Sequence, residues 1–267
     1  MKVFVSADIE GVADLASFVE AGQDNPQLYT RGMEQMSREV AAVCRGAVAA
    51  GAQLITVKDA HGAGLNIFHE YLPEQAELIR GEMRSPYSMI GGIDPSYDAV
   101  LFVGYHDAAG QPGNPMSHTI SSRRIREVTI NGVPAGEFHI FSYAAADLGV
   151  PTAMISGDAA ICEKAKAVQP AIETVATKRG EAAAVVSLHP KTAERLLEEG
   201  ARRALSGDLN RYRYALPGQF LVTVSYQKHY DAAHASHYFN TRRLDGHTVE
   251  FQADDYKEVL RFFHFVL

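Results

Sequence analysis

The sequence contains only two cysteines among its 267 residues, Cys44 and Cys162. They lie far apart, belong to no C-x-x-C pair, and both fall in segments whose apolar spacing is helical. A free, buried thiol is the ordinary role for a cysteine in such a position. This scarcity argues against a disulfide framework and fits a protein of a reducing compartment.

No secretory signal peptide is predicted at the amino terminus. The first apolar run reaches the carboxylates of Asp8 and Glu10 too early to form the apolar core of such a signal. The most apolar later segment, residues 40–57, is interrupted by Arg45 and falls short of a membrane span. We therefore expect a cytoplasmic protein without membrane contacts.

Basic residues are in the minority, with 25 lysines and arginines against 32 aspartates and glutamates and a net charge of −7. The densest basic group, Arg123, Arg124 and Arg126, is too small to follow a phosphate backbone, so nucleic acid is not an expected partner. The hydrophobic fraction of 46% in a chain of this length instead predicts a large core, in one domain or two interleaved ones.

The order of predicted elements indicates an α/β fold with a mixed, largely parallel sheet flanked by helices. Short β-rich runs alternate with helical patterns and lie at residues 3–7, 53–57, 99–104 and 152–156. After the first run, apolar residues recur at i, i+3, i+4, i+7 and i+8 from Val40, which predicts a helix that Gly51 ends. Asp158 is well placed as the N-cap of a later helix.

An inserted hairpin interrupts this alternation between Val128 and Ala135, with Asn131-Gly132 as a type I′ turn. A smaller C-terminal α/β part then follows. Its predicted elements are an amphipathic helix near 190–205, a strand at 220–226, a hairpin at Asp245-Gly246 and a final helix near 256–266. We expect a boundary near residue 180, between an α/β domain of residues 1–180 and a part, residues 181–267, that contributes to the pocket and to oligomer contacts.

Acidic side chains follow the first predicted strand. Asp8 and Glu10 are spaced i, i+2, so while the strand lasts their side chains point the same way. Two carboxylates that point together repel, whereas a divalent metal ion keeps both ionised. The pair therefore predicts a cation site.

Histidines follow the next two predicted strands, His61 after the second and His106 after the third. Because ligands of such sheets bind beyond the carboxyl ends of the strands, both imidazoles share one crevice with Asp8 and Glu10. Mixed carboxylate and imidazole ligands favour zinc or manganese over calcium. The four residues together predict a metal site, although either histidine alone is more often a surface or hydrogen-bonded residue.

Other motifs fit less well. His69-Glu70 begins like a zincin helix, but no second histidine follows at the required position. His234 and His237, spaced i, i+3, could share a helix face and bind a metal ion, but a packing or surface role is more usual for such a pair.

The sequence resembles the bacterial zinc-dependent D-aminopeptidases associated with dipeptide-transport operons. The resemblance covers roughly the first 160 residues and agrees in order and approximate spacing. It lies in the segments Ser6–Gly11, Asp59–His61, Gly104–His106, Met116–His118 and Asn131–Glu137. One departure is Ala159, where a second acidic residue is expected after Gly157-Asp158.

The resemblance implies two zinc ions per subunit. Asp8 would bridge the two ions. Glu10 and His61 would complete one site, and His106 and Glu137 would complete the other. The resemblance also implies assembly into a ring-like homodecamer.

The implied function is that of a dinuclear zinc aminopeptidase. It would release amino-terminal residues, expected to be D-residues, from short peptides or amino acid amides through a metal-bridged water. His118 would be the catalytic residue, which transfers a proton or stabilises the tetrahedral oxyanion. Two alternatives stay open: another metal-dependent hydrolase of small amides, and a non-catalytic protein in which a closed metal site organises a ring.

Overall fold

The computed structural model describes residues 1–267 and contains two β-sheets surrounded by helices. The strands, numbered in chain order, are β1 Lys2–Ala7, β2 Leu54–Asp59, β3 Ala76–Ile79, β4 Ala99–Tyr105, β5 Ile125–Ile130, β6 Val133–Pro134, β7 Thr152–Asp158, β8 Glu173–Glu181, β9 Ala184–Ser187, β10 Phe220–Tyr226, β11 Thr241–Arg243 and β12 Thr248–Ala253. The α-helices are α1 Phe18–Ala21, α2 Pro26–Ala49, α3 Glu137–Asp147, α4 Ala159–Val168, α5 Pro190–Leu205, α6 His229–Ala235 and α7 Tyr256–Val266.

The first sheet has the strand order β3-β2-β1-β4-β7-β8-β9, and every neighbouring pair is parallel except β8 and β9. From the central β1 the chain builds outward on one side through β2 and β3 and on the other through β4 and β7. The order therefore reverses between β1 and β4, which is where open α/β sheets form a ligand crevice. The predicted α/β fold with a largely parallel sheet is confirmed.

Helices cover both faces of this sheet, and the alternation of side chains along β1 divides the core in two. Val3, Val5 and Ala7 pack in one cluster with apolar residues of α2 and α5. Phe4 belongs to the other cluster, which contains residues of α3, α4, α7 and the second sheet. Helix α2 begins after its N-cap Asn25, and it ends at Ala49, just before the Gly51 that the sequence indicated.

The second sheet is antiparallel, with the order β11-β12-β10-β5-β6. Asn131 and Gly132 connect β5 to β6 with φ of +52° and +79°, so the predicted hairpin and turn are confirmed. The hairpin pairs with β10, whereas β9 and α5 pack with the first sheet, so the two sheets are interleaved along the chain. The boundary near residue 180 stays a prediction.

Backbone contact joins the turn that follows β1 to the carboxyl end of β4. The Gly11 N–H donates to the Gly104 carbonyl at 2.7 Å. A Cβ atom on Gly11 would lie 1.8 Å from the Tyr105 carbonyl oxygen, and one on Gly104, whose φ is +74°, would lie 2.2 Å from the Asp8 carbonyl oxygen. Only glycine fits at these two positions, and the contact holds the ends of β1 and β4 together.

Both cysteines are buried and unpaired, as the sequence predicted. Burial raises the pKa of each thiol to about 12, so neither is a reactive thiolate near neutral pH. None of the helices is both long enough and apolar enough to cross a membrane.

Candidate metal centre

All six side chains that were predicted for the site lie in one crevice at the carboxyl ends of β1, β2 and β4. Four of them follow these strands, the loop before β5 supplies His118, and the first residue of α3 supplies Glu137. These residues are Asp8, Glu10, His61, His106, His118 and Glu137. The carboxylates and His106 are buried, while the side chains of His61 and His118 are 15% and 12% exposed. The cluster is therefore reached from the side on which these two imidazoles lie.

Asp8 lies between two imidazoles and offers one carboxylate oxygen to each. Its Oδ1 is 3.2 Å from His61 Nδ1, and its Oδ2 is 3.4 Å from His106 Nε2. Glu10 Oε2 is 3.1 Å from the same His61 nitrogen, and Glu137 Oε2 is 3.1 Å from the same His106 nitrogen. The arrangement forms two half-sites that share Asp8.

His118 lies beside the second half-site. Its ring stacks on that of His106 with centroids 4.2 Å apart, and its Nε2 is 3.5 Å from Glu137 Oε1. Phe18, which is 40% exposed, lies edge-to-face with the His118 ring, with ring centroids 5.6 Å apart. The same Glu137 oxygen accepts the N–H of Ile120 at 2.7 Å. Ile120 has φ of +62°, which is unusual for a β-branched residue and is the kind of strain found at functional sites.

All three histidines donate one ring N–H to a backbone carbonyl, which can only accept. The distances are 2.7 Å from His61 Nε2 to Ala21 O, 2.8 Å from His106 Nδ1 to Asp107 O and 3.0 Å from His118 Nδ1 to Met116 O. In the neutral ring the other nitrogen therefore carries a lone pair, and in each case that nitrogen faces a carboxylate. Hydrogen bonds of this kind fix the orientation of histidines that bind metal ions.

Within the protein itself, protonated imidazoles balance the negative charge of the buried carboxylates. Burial alone would lower the pKa of His61, but the facing carboxylates of Glu10 and Asp8 outweigh it and raise that pKa well above its usual range. Glu137 and Asp8 do the same for the pKa of the buried His106. Burial would raise the pKa of Asp8, but its contacts with the imidazoles of His106 and His61 hold that pKa well below its usual range.

The donor atoms of this cluster fit metal ions. Asp8 Oδ2 and Glu10 Oε2 are buried and make no hydrogen bond of normal geometry within the protein, although imidazole nitrogens lie 3.4 and 3.1 Å away. One ligand atom from each of Asp8, Glu10 and His106 lies within 4.8 Å of the others, and the same holds for His106, His118 and Glu137. A divalent cation would satisfy the orphaned oxygens and would replace the imidazole protons.

Behind the inner cluster, side chains that sequence reasoning missed hold its loops. Buried Asp59 accepts the N–H groups of Asn66 and Ile67 at 2.5 and 2.9 Å. The Asn66 amide in turn donates to Asp59 at 2.8 Å and to the His61 carbonyl at 2.7 Å. Asp59 therefore shapes the turn that carries His61. The sequence signal that could have identified Asp59 is a carboxylate at the end of a buried strand.

A similar network supports the turn that carries His106. Asp158 caps α4 as predicted, because its Oδ1 accepts the Ile161 N–H at 2.9 Å. Its Oδ2 accepts the Asp107 N–H at 2.8 Å and the Asn114 amide at 3.2 Å. Lys164 neutralises the Asp107 carboxylate, with Nζ 2.5 Å from Oδ1. Ala159, the departure noted in the sequence, is the first residue of α4.

Three buried side chains from distant segments hold the loop that follows Glu10. The contacts are Ala13 N–H to Glu39 Oε1 at 2.8 Å, Thr177 Oγ1 to the Gly11 carbonyl at 2.6 Å and Lys178 Nζ to the Leu15 carbonyl at 2.6 Å. Burial raises the pKa of Glu39 to about 7 and lowers that of Lys178 to about 8. No local sequence pattern marks these residues, because their contacts span long separations in the chain.

The second histidine pair lies elsewhere. His234 and His237 line a surface hollow with Tyr238, Phe265 and Val266, and none of these residues belongs to the metal centre.

Comparison with known proteins agrees with this geometry. The family model for peptidase M55, described as D-aminopeptidase, matches residues 1–265. A D-aminopeptidase of Bacillus subtilis (strain 168) is 32% identical over 262 residues, which cover 97% of this chain and 93% of that protein. The solved structure of the Zn-dependent D-aminopeptidase DppA from Bacillus subtilis, a self-compartmentalizing protease, matches with a TM-score of 0.88 and 31% identity over 98% of this chain and 95% of that chain. The chain therefore belongs to the M55 peptidase family of D-aminopeptidases and is a metallo-aminopeptidase.

Proposed function

We propose that the chain is a dinuclear zinc aminopeptidase that removes an amino-terminal D-residue from short peptides or amino acid amides. The observation that carries this proposal is the position of Asp8, which offers one oxygen to each of two half-sites. Glu10 and His61 would hold one ion with Asp8, and His106 and Glu137 would hold the other. A shared carboxylate between two open half-sites is the arrangement that two-metal hydrolases use.

Zinc is the ion that we propose for both half-sites. Carboxylate oxygens with imidazole nitrogens, and no thiolate, suit zinc in a catalytic site. The zinc dependence of the similar Bacillus subtilis enzyme supports this choice. When bound, the two ions would supply an activated water and would polarise the carbonyl of the scissile bond.

The protein's own contribution to the chemistry is positioning and proton transfer. The N–H of His118 at Nδ1 is held by the Met116 carbonyl, which leaves Nε2 directed at the half-site of His106 and Glu137. In the neutral ring this nitrogen carries a lone pair, so we assign to it the acceptance of a proton from the attacking water. The resulting imidazolium then transfers that proton to the leaving amine or stabilises the oxyanion. Its partial exposure places it where a substrate enters.

The D-preference rests on the family and its relatives, since no contact in the chain alone selects a stereoisomer. We also propose that the chain forms a homo-oligomer, and a ring-like decamer remains the predicted form. The self-compartmentalizing relative supports this, as do Phe239 and Phe265, which are 80% and 64% exposed in the single chain. Placement in the cytoplasm also remains a prediction.

The direct test is metal content per chain by elemental analysis, paired with hydrolysis of D- and L-alanine amides and of D- and L-alanyl dipeptides. We expect two zinc ions per chain and D-selective turnover that EDTA abolishes and zinc restores. One ion or none, with no turnover after zinc is restored, would contradict the dinuclear peptidase. Turnover of the amides but not of the dipeptides would favour the alternative of a small-amide hydrolase.

The remaining alternative, a non-catalytic ring protein, predicts metal without turnover. Membership of a peptidase family speaks against it. A structural zinc site has four protein ligands and no open position, so a bound water that exchanges with an added anion would exclude it.

A further inference from the structure

A polar hollow lies beside the metal centre, between the end of β2 and the loop of residues 81–88. Its volume is about 260 Å³, several times the roughly 30 Å³ that one water molecule occupies, so a carboxylate group fits inside it. We call it the β2 hollow. The polar side chains in its wall are those of Lys58, Glu82, Arg84, Ser85, Ser88 and His264.

The β2 hollow adjoins the turn that carries His61. Ala60 and Gly62, the residues on either side of His61, belong to its wall. The Ala60 N–H donates to the carbonyl of Ala7, the residue before Asp8, at 2.8 Å. A peptide whose amino end lies at the metal centre can therefore extend its carboxyl end toward the hollow, since each further residue adds about 3.5 Å of chain.

Lys58 is a buried cation without a carboxylate partner. It is 3% exposed, and its Nζ donates to the carbonyls of Asp59 at 2.6 Å and Gly81 at 2.8 Å, which leaves one of its three N–H groups. The carboxylate of Asp59 lies on the other face of β2, where it accepts the N–H groups of Asn66 and Ile67. Buried charges are usually paired with an opposite charge, so Lys58 favours an anionic ligand in the hollow.

Arg84 adds a second positive charge at the exposed rim of the β2 hollow. Its side chain is 85% exposed, and its Nε lies 3.5 Å from the exposed Glu82 carboxylate, which makes a weak ion pair in water. The guanidinium fork can therefore exchange this partner for a ligand carboxylate, which it binds through two parallel hydrogen bonds. Arg84 and Ser88 have φ of +47° and +35°, and such strained backbone is common at ligand sites.

The charge of the wall is opposite in sign to that of the whole chain. Lys58 and Arg84 face one carboxylate, Glu82, in the wall, whereas the protein has a net charge of −7. A local positive field in an acidic protein attracts anions to this place. The hydroxyls of Ser85 and Ser88 add neutral donors to the same wall.

We propose that the β2 hollow binds the free carboxylate at the carboxyl end of a short peptide substrate. Arg84 and the serine hydroxyls contact the carboxylate, and Lys58 stabilises its charge from the buried side. This inference rests on the proposed peptidase function and narrows its substrate class. The preferred substrates are peptides of two or three residues with a free carboxyl end, ahead of peptides whose carboxyl end is blocked.

The test compares D-alanyl-glycine and D-alanyl-glycyl-glycine, each with its carboxyl-terminal amide, by D-alanine release from the zinc-loaded enzyme. The members of each pair differ only in the charged end. For at least one length we expect a kcat/KM about tenfold higher for the free carboxylate, as one charge-assisted hydrogen bond provides. The difference should appear mainly in KM, because this contact is remote from the scissile bond.

Two variants and a control locate the effect. Arg84→Gln should reduce the preference for the free carboxylate by at least about threefold, and Lys58→Met should also reduce it. Arg195→Gln is the matched control, because Arg195 is likewise exposed and paired with a glutamate, Glu199, but lies on α5. It should leave the preference unchanged.

Equal kcat/KM for acid and amide at both lengths would overturn the proposal, and so would a preference that Arg84→Gln does not alter. Release of D-alanine from none of the four compounds would instead contradict the peptidase function, and this proposal with it. The comparison of substrates uses the unaltered enzyme, and Arg84 is exposed, so the question is decided even if Lys58→Met does not fold.

Discussion

Four of the buried carboxylates around the crevice form two groups that differ in their donors. In the outer group, Asp59 and Asp158 accept from N–H groups on both oxygens. In the inner group, Asp8 and Glu10 have no backbone donor, and each has one oxygen without any hydrogen-bond partner. Both groups are buried, so burial alone does not distinguish a structural carboxylate from one that is proposed to bind metal. The missing donors distinguish Asp8 and Glu10 from Asp59 and Asp158, whereas Glu137 faces two imidazoles and also accepts the Ile120 N–H.

Asp8→Asn should have the largest effect, because it alters the carboxylate that both half-sites share. We expect loss of both zinc ions and a fall in kcat/KM larger than the roughly 10²–10⁴-fold that positioned proton transfer contributes. Elemental analysis and D-alanine amide hydrolysis measure the two effects. A variant that keeps two ions and near-normal turnover would show that Asp8 is not a ligand shared by the two half-sites.

His118→Asn should separate chemistry from metal binding. We expect kcat to fall by roughly 10²–10⁴-fold with zinc content nearly unchanged, because the imidazole transfers protons and does not hold an ion. Loss of one zinc ion would instead make His118 a ligand with His106 and Glu137, whose donor atoms lie within 4.8 Å of its own.

Asp59→Asn tests the outer group. The amide offers one acceptor oxygen where the carboxylate offers two, so the turn that carries His61 should loosen. We expect zinc affinity to fall by about 10–100-fold, as is typical for outer partners of metal ligands. Zinc titration against a competing chelator measures this. Asp254→Asn, at an exposed position, is the matched control and should change nothing.

Glu39→Gln should have the smallest effect, which is a change in the free energy of unfolding. Because burial raises the pKa of Glu39 from 4.5 to about 7, its proton stabilises the fold fully below pH 4.5, and this stability is lost as the pH rises through 7. Glutamine carries no charge to lose. Relative to wild type, the variant should therefore gain about 1.4 kcal/mol between pH 6 and pH 8.

Urea unfolding of the zinc-loaded proteins at both pH values measures this difference. The pH dependence of zinc binding is common to both proteins and cancels in the comparison. A constant difference between the two proteins across this range would show that Glu39 does not titrate there.

The six side chains of the candidate metal centre could be predicted from sequence where they follow strands of the first sheet. Asp8, Glu10, His61 and His106 come from three strand ends, and parallel strands bring such ends to one edge. Glu137 and His118 lie on a helix start and in a loop, for which no periodicity predicts a position. They were identified only through the resemblance to the D-aminopeptidases.

The outer group and the second sheet depend on contacts that the local sequence does not encode. The hairpin β5–β6 and the strand β10 were each predicted, but their pairing joins Ile130 to Val222 across the chain. The short strands β3 and β9 are too brief to give a clear alternation of side chains. Lys178 reaches the Leu15 carbonyl only because β8 lies beside β7 in the folded sheet.

The contact between Gly11 and Gly104 means that the main chain sets the distance between Asp8 and His106 in the candidate metal centre. Because the turn after β1 touches the end of β4 backbone to backbone, no side chain separates the strand that precedes Asp8 from the strand that precedes His106. Substitutions in the surrounding pocket can therefore alter which substrate fits without moving these two side chains apart. Within this fold, specificity is free to diverge while the reaction is retained.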